Sequence, residues 1–362
     1  MTGSARIAWL ARALSLACVL LPAAASAQDA QVAQDAITAS TDPRVTATAG
    51  AAATAPVATT GMSIDAPAAA GTRSGLEIYA RFRDGLADPD CPLDSSSERW
   101  RRHFAKAPQR LGESDDDTLA LFGYVVDALR EADLPTEYAL IPFVESGYKP
   151  GARSKGGPAG LWQMATITAR HHGVPIRAGY DGRLSPVEST RAAIRYLKTL
   201  HGMFAGDWRL AVMAYNAGEY RVLGALRRAH QVARDADPSK LTSLSGITRA
   251  YVRKLHALSC LLDRADDREA WLQALDRPIP VLEAVELPAG PVDLTRWARN
   301  GDRDPAMVRR LNPALASGRL ARGHRTLRVL APPAMADDTP PDAIAEAPTG
   351  AASGLAPAAQ AH

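Results

Sequence analysis

Between residues 115 and 263, outside the stretches 147–163 and 235–245, most segments carry apolar side chains every three or four positions, and no stretch before Ile279 alternates convincingly with the period of two that a half-buried strand requires. Leu119, Phe122, Val126 and Leu129 share one helical face, and Asp115, Asp116 and Asp117 place negative charge at that helix's positive end. Ser185-Pro186-Val187-Glu188 reads as a helix start, with Ser185 as cap and Pro186 in the first helical position. Ile194, Leu197, Leu200 and Phe204 extend its buried face. Gly206-Asp207 resets the chain, with Asp207 as a cap. The next helix buries Leu210, Ala211, Met213 and Ala214 and ends at Gly218. Another helix runs from 219 to about 229, and Ile247, Tyr251, Leu255 and Leu258 mark a long amphipathic one with Tyr251 facing inward. The fold class is therefore mainly α.

The flanks differ in texture. Residues 1–27 hold Arg6 in a basic start, an apolar run over about 7–21 and Ala25-Ser26-Ala27, the pattern of a cleavable signal peptide. Cys18 lies inside the apolar run behind the bulky Leu16, so no lipid anchor is expected there, and no later stretch is long enough to span a membrane. Residues 28–73 are rich in Ala and Thr without periodicity and read as a disordered linker, with order beginning near Leu76. From Ile279, a strand around Val285, helices at 294–298 and 306–311 and a strand at 327–330 suggest a small α+β module. The domains are thus 1–27 leader, 28–73 linker, 74–275 helical domain, 276–333 module and 334–362 disordered tail.

The net charge is +3 over the whole chain and +1 once residues 1–27, with Arg6 and Arg12 and no acid, are removed. That balance gives no broad basic field, and no nucleic-acid partner is expected. Cys91 and Cys260 are the only cysteines beyond the leader. In an oxidising compartment they form a disulfide or stand as two buried thiols, and sequence leaves both open. His171-His172 lacks metal-ligand spacing, and neither a metal nor a cofactor is expected.

Glu145 is flanked by Leu140, Ile141, Phe143 and Val144 on a segment that otherwise reads as core, with Pro142 late in its helix. A carboxyl among apolar side chains has its charged form disfavoured, so its pKa rises toward the range of a general acid. A helix-end Glu with its head in water is the alternative. The stretch 147–163 is a Gly-rich loop closing on Trp162, which is either core or a sugar platform.

Four motifs stand in order: Glu145-Ser146, Gly160-Leu161-Trp162-Gln163, Ala214-Tyr215-Asn216-Ala217-Gly218 and Ile247-Thr248-Arg249-Ala250-Tyr251-Val252. Together with Tyr180-Asp181 and Phe204-Ala-Gly-Asp-Trp208, they make residues 75–263 resemble the lytic transglycosylases of the goose-type-lysozyme-like superfamily. The resemblance implies a lysozyme-like helical catalytic domain that cleaves the MurNAc–GlcNAc bond of peptidoglycan glycan strands, in the periplasm or cell envelope. Glu145 would be acid and then base, closing a 1,6-anhydro ring without water, and the substrate's N-acetyl group would replace the second carboxylate of other glycosidases. By the same resemblance Ser146, Gln163, Tyr215, Asn216 and Tyr251 would contact or orient substrate, Tyr251 beside Glu145. Of the nearby acids Asp181, Glu188, Asp207 and Glu219, none has a spacing that singles it out as a partner.

Two positions depart from the family pattern. Thr166-Ile167-Thr168 replaces a Pro-containing turn, with Thr166 still able to cap the following helix. Ile247 stands where a Glu is usual. The module resembles a degenerate LysM-type repeat around Asn312-Pro313, without its usual start, which leaves glycan binding and simple packing both open. A hydrolytic muramidase on the same fold and a non-catalytic peptidoglycan-binding scaffold are the competing functions.

Overall fold

A computed structural model describes residues 71–91, 98–114, 116–288, 292–316 and 327–334. The leader, most of the linker, all but the first residue of the tail, Cys18 and Asp115 lie outside the described residues. The helices are α1 Gly75–Arg83, α2 Glu98–His103, α3 Ala107–Gly112, α4 Thr118–Arg130, α5 Ile141–Glu145, α6 Thr166–His171 and α7 Pro186–Met203. They continue with α8 Trp208–Ala217, α9 Glu219–Arg228, α10 Gly246–Asp263, α11 Glu269–Leu275, α12 Leu294–Asn300 and α13 Pro305–Leu311. Short strands pair antiparallel: β1 Thr72–Ser74 with β4 Pro278–Pro280, β2 Ile176–Arg177 with β3 Tyr180–Asp181, and β5 Glu283–Glu286 with β6 Arg328–Ala331. The protein is mainly helical.

The caps behave as local chemistry dictates. The Ser185 hydroxyl accepts from the Glu188 amide at 3.3 Å, and the Asp207 carboxylate accepts from the Arg209 and Leu210 amides at 2.8 and 3.2 Å. Asp116 accepts from the Thr118 amide at 2.9 Å, so negative charge does sit at the start of α4. Thr166 is not a cap; it is the first residue of α6, and Ala165 before it makes no side-chain capping bond.

The segment bearing Glu145 differs from expectation. Thr136–Leu140 forms a 3₁₀ turn, and α5 then begins anew with Pro142 in its first turn. Proline is tolerated there because the amide it lacks has no intrahelical acceptor anyway, so no backbone bond is lost. Glu145 is therefore the last residue of a five-residue helix, with Ser146 as C-cap.

Two expected boundaries also move. Thr72 and Arg73, assigned to the linker, belong with Ser74 to strand β1, and its partner β4 was assigned to the module. Arg73 reinforces the joint through a 2.6 Å ion pair with Asp127 on α4. The β2–β3 hairpin lies in a region read as strand-free, and two-residue strands are too short to show alternation.

A single large core unites α1, α3–α5, α7, α8 and α10, and Met307, Leu311 and Leu330 from the C-terminal end reach into it. A smaller core joins Leu294, Ala298, Val308, Val329 and Ala331 to Ala159, Tyr180 and Leu184 of the 151–184 region. The strand-helix-helix-strand unit β5-α12-α13-β6 thus packs against the loop that follows Glu145. Asn312, 2% exposed, donates to the Val308 and Leu330 carbonyls and accepts from the Leu330 amide, so its side chain is wholly committed within that unit.

Candidate active site

Glu145 and Tyr251 are 106 residues apart, yet the Tyr251 hydroxyl donates to Glu145 Oε1 at 2.6 Å. The end of α5 delivers the carboxyl and the first half of α10 delivers the phenol. Tyr251 is buried, and Glu145 is partly buried. Burial pushes the Glu145 pKa above the ordinary carboxylate value, against the opposing effects of the Tyr251 hydrogen bond and the Lys254 charge. Burial also pushes the Tyr215 and Tyr251 phenols well above 10, and the nearby Glu145 charge adds to this.

Among the described residues Glu145 makes no other side-chain hydrogen bond, and none of the acids considered above bonds to it. Asp181 is locked to Arg183 by bonds of 3.0 and 2.9 Å, which hold its carboxyl below the usual range despite burial. Asp207 caps α8, and Glu219 accepts from the Tyr196 hydroxyl at 3.1 Å.

The loop between Glu145 and α6 is wired from both sides. Ser146 Oγ donates to the Leu161 carbonyl at 2.7 Å, and the Tyr215 hydroxyl donates to the Trp162 carbonyl at 2.8 Å. The Gln163 amide nitrogen donates to the Ala152 and Gly160 carbonyls at 3.2 and 2.8 Å, while its oxygen accepts from Ser154 at 2.7 Å. Gly160 is obligatory: its φ is +84°, and a Cβ there would lie 1.7 Å from the Arg183 carbonyl oxygen. Ser146, Gln163 and Tyr215, expected to touch substrate, thus have their protons committed to holding this loop against α5 and α8. Trp162 is fully buried and donates to Thr190 Oγ1 at 2.9 Å, which makes it core and not a sugar platform.

Asn216 is exposed, and its Oδ1 accepts from Thr248 Oγ1 at 3.1 Å. Thr248 also contacts the cap Ser245, so this bond ties the end of α8 to the start of α10. Cys91 and Cys260 are joined in a disulfide with Cα atoms 5.5 Å apart. His256 Nε2 lies 3.8 Å from Cys260 Sγ, making Cys91, His256 and Cys260 the one metal-type trio among the described residues. Two of its three ligand atoms are tied up in the disulfide.

Sequence reasoning passed over Lys254. It lies three residues after Tyr251 on α10, hence on the same helix face, and that spacing was the available signal. Its ammonium sits 4.7 Å from the Trp100 ring centroid. Burial and Arg99 lower its pKa, while Glu145 raises it.

Residues 126–237 match the family model described as the transglycosylase SLT domain. Membrane-bound lytic murein transglycosylase D of Escherichia coli K12 is 34% identical over 175 residues, 48% of this chain and 38% of that protein. A putative tributyltin chloride resistance protein of an Alteromonas species is 42% identical over 103 residues, 28% of this chain and 50% of that one. The peptidoglycan transglycosylase gp16 of phage T7 is 34% identical over 116 residues, 32% of this chain and 8% of its own length. The chain therefore spans half or less of the length of these relatives.

The SLT match contains Glu145, Ser146, Gln163, Tyr215 and Asn216 and stops short of Tyr251 and Lys254. Tyr251 and Lys254, the two side chains that act on the Glu145 carboxyl, thus both come from α10, beyond the matched residues. Among the described residues no helix is long and apolar enough to cross a membrane.

Proposed function

We propose that the protein is a peptidoglycan lytic transglycosylase that cleaves the β-1,4 bond between MurNAc and GlcNAc. The observation that carries this reading is Glu145 itself. It is a carboxyl with a raised pKa, bonded by one phenol, with no second carboxylate against it among the described residues. A raised pKa keeps the proton available for donation to a leaving oxygen at higher pH than an ordinary carboxyl allows. The lone carboxylate argues against a scheme in which a second acid serves as nucleophile or base.

In this reading Glu145 donates its proton to the glycosidic oxygen as the bond from MurNAc C1 to that oxygen breaks. The N-acetyl oxygen of the same sugar bonds to C1 and balances the charge. The Glu145 carboxylate then accepts the C6-hydroxyl proton, and O6 bonds to C1 as the N-acetyl oxygen leaves. The acid is regenerated, and the product ends in 1,6-anhydroMurNAc. Tyr251 stabilises the carboxylate between the two steps, because its hydrogen bond favours the charged form.

In the same reading Asn216 offers its amide N–H groups to saccharide, while Ser146, Gln163 and Tyr215 act by positioning the loop. Residues 1–27 direct export to the periplasm or envelope as a cleavable leader. The C-terminal unit serves as a packing module, supported by the full internal commitment of Asn312.

Mass spectrometry of muropeptides released from purified sacculi tests the reading. Products lighter than reducing forms by one water are expected. Reducing ends would mean a muramidase, and bound but undigested sacculi would mean a scaffold.

A further inference from the structure

Two cations share one ring, and one of them, Lys254, lies a helical turn beyond Tyr251, the partner of Glu145. The Arg99 guanidinium carbon lies 4.8 Å from the Trp100 centroid, and Lys254 Nζ lies 4.7 Å from it. Trp100 is buried, and the His103 ring meets it edge-on at 5.7 Å. Helix α2 supplies Arg99, Trp100 and His103, and it packs on α10, which supplies Lys254 and Tyr251. The Cys91–Cys260 disulfide ties the approach to α2 to the same α10. The cluster is thus part of the fold, whereas a chance meeting of long surface side chains would lack these constraints.

Ring faces attract each cation, but two like charges brought together repel, and neither Arg99 nor Lys254 forms an ion pair among the described residues. The acid whose charge reaches Lys254 is Glu145. Its counter-charge vanishes whenever Glu145 holds the proton it is to donate. In that state the paired cations, Arg99 exposed and Lys254 half-buried, have no counter-charge among the described residues, and an anion brought by the ligand restores the balance.

We propose that Arg99 and Lys254, seated on Trp100, form an anion subsite that binds a carboxylate of the glycan substrate. The proposal rests on the transglycosylase reading for the identity of the glycan. The carboxylate has two sources: the lactyl group of a MurNAc freed of its peptide, or the peptide stem of an intact one. An anion held there also favours the protonated form of Glu145, so occupancy and readiness of the acid are coupled.

The test is equilibrium binding by full-length Glu145→Gln protein, whose neutral side chain imitates the protonated acid. Three soluble probes are compared: an uncharged N-acetylglucosamine oligomer, a GlcNAc–MurNAc oligomer without peptide and the same oligomer bearing stems. Adding Arg99→Gln and Lys254→Met is expected to weaken binding of a carboxylate-bearing probe about tenfold, roughly the value of one charge-assisted contact. Binding of the uncharged oligomer is expected to hold, and added salt should erase the difference. Selective loss for the peptide-free probe assigns the lactyl carboxylate, and loss only for the stem-bearing probe assigns the stem.

An equal loss for all three probes, or no loss for either charged one, overturns the subsite. Arg99→Gln alone, at an exposed position, repeats the test should the double variant fold poorly. Because turnover plays no part in the readout, anhydro products from wild type together with an unselective binding loss would sink the subsite alone.

Discussion

Glu137 and Glu145 lie eight residues apart on consecutive short helical turns, and burial raises the pKa of both. Their surroundings otherwise differ. Glu137 is 1% exposed, and its two oxygens accept from the Ala87 and Asp88 amides at 3.0 and 2.8 Å. Those amides belong to the loop after α1, which an Asp88–Arg209 ion pair and the disulfide at Cys91 also pin. Glu145 has one phenol on one oxygen and is not fully enclosed. A perturbed pKa therefore does not separate structure from chemistry in this molecule. The number and type of partners, and access for a ligand, do.

The comparison predicts opposite effects for changes at the two sites. Glu145→Gln is expected to lower the rate of sacculus digestion by about 10²–10⁴, the usual cost of losing a general acid, while keeping the fold. Equal clearing by variant and wild type would remove Glu145 from the chemistry. Glu137→Ala takes the acceptor from the Ala87 and Asp88 amides and opens a void where a buried side chain stood, and it is expected to destabilise the protein by about 1–3 kcal/mol. The fraction still folded should digest at the wild-type rate, measured beside a thermal melt.

Tyr251→Phe sharpens the contrast by removing the one side-chain hydrogen bond that Glu145 makes among the described residues. A loss of about 10–10²-fold in rate is expected, with the alkaline limb of the pH–rate profile moved to higher pH, because the lost bond had favoured the charged form. An unmoved limb would mean that the phenol does not tune the acid.

The smallest effect is on stability. A folded-state pKa above the ordinary 4.5 means that the neutral Glu145 carboxyl stabilises the fold below that value. That contribution is lost as pH rises through the raised folded value. Glu145→Gln should therefore melt like wild type in acid and above it at neutral and higher pH. A pH-independent difference in melting temperature would contradict the assigned shift.

Much of the helical frame was legible because its signals are short-range. The caps Ser185 and Asp207 and the buried face of α7 follow from spacings of two to four residues. Pro142 was misplaced within its helix because the 3₁₀ turn before α5 carries no periodic signature of its own. Strand β1 escaped notice because three residues show no alternation and its partner lies some two hundred positions away. Gln163 and Tyr215 were legible as site residues by resemblance, but a motif does not say which atom a side chain bonds.

By itself the amino-acid sequence determined that this protein is built of helices, where many of them start and stop, and that Glu145 sits in apolar company. Backbone capping and helical periodicity act between near neighbours, so they are written into local order. Only the tertiary structure decided that Tyr251 reaches Glu145, that Cys91 meets Cys260 and that Arg99 and Lys254 share Trp100. Those pairs are brought together by packing α2 and α5 on α10, and a distance through space is not encoded in any spacing along the chain.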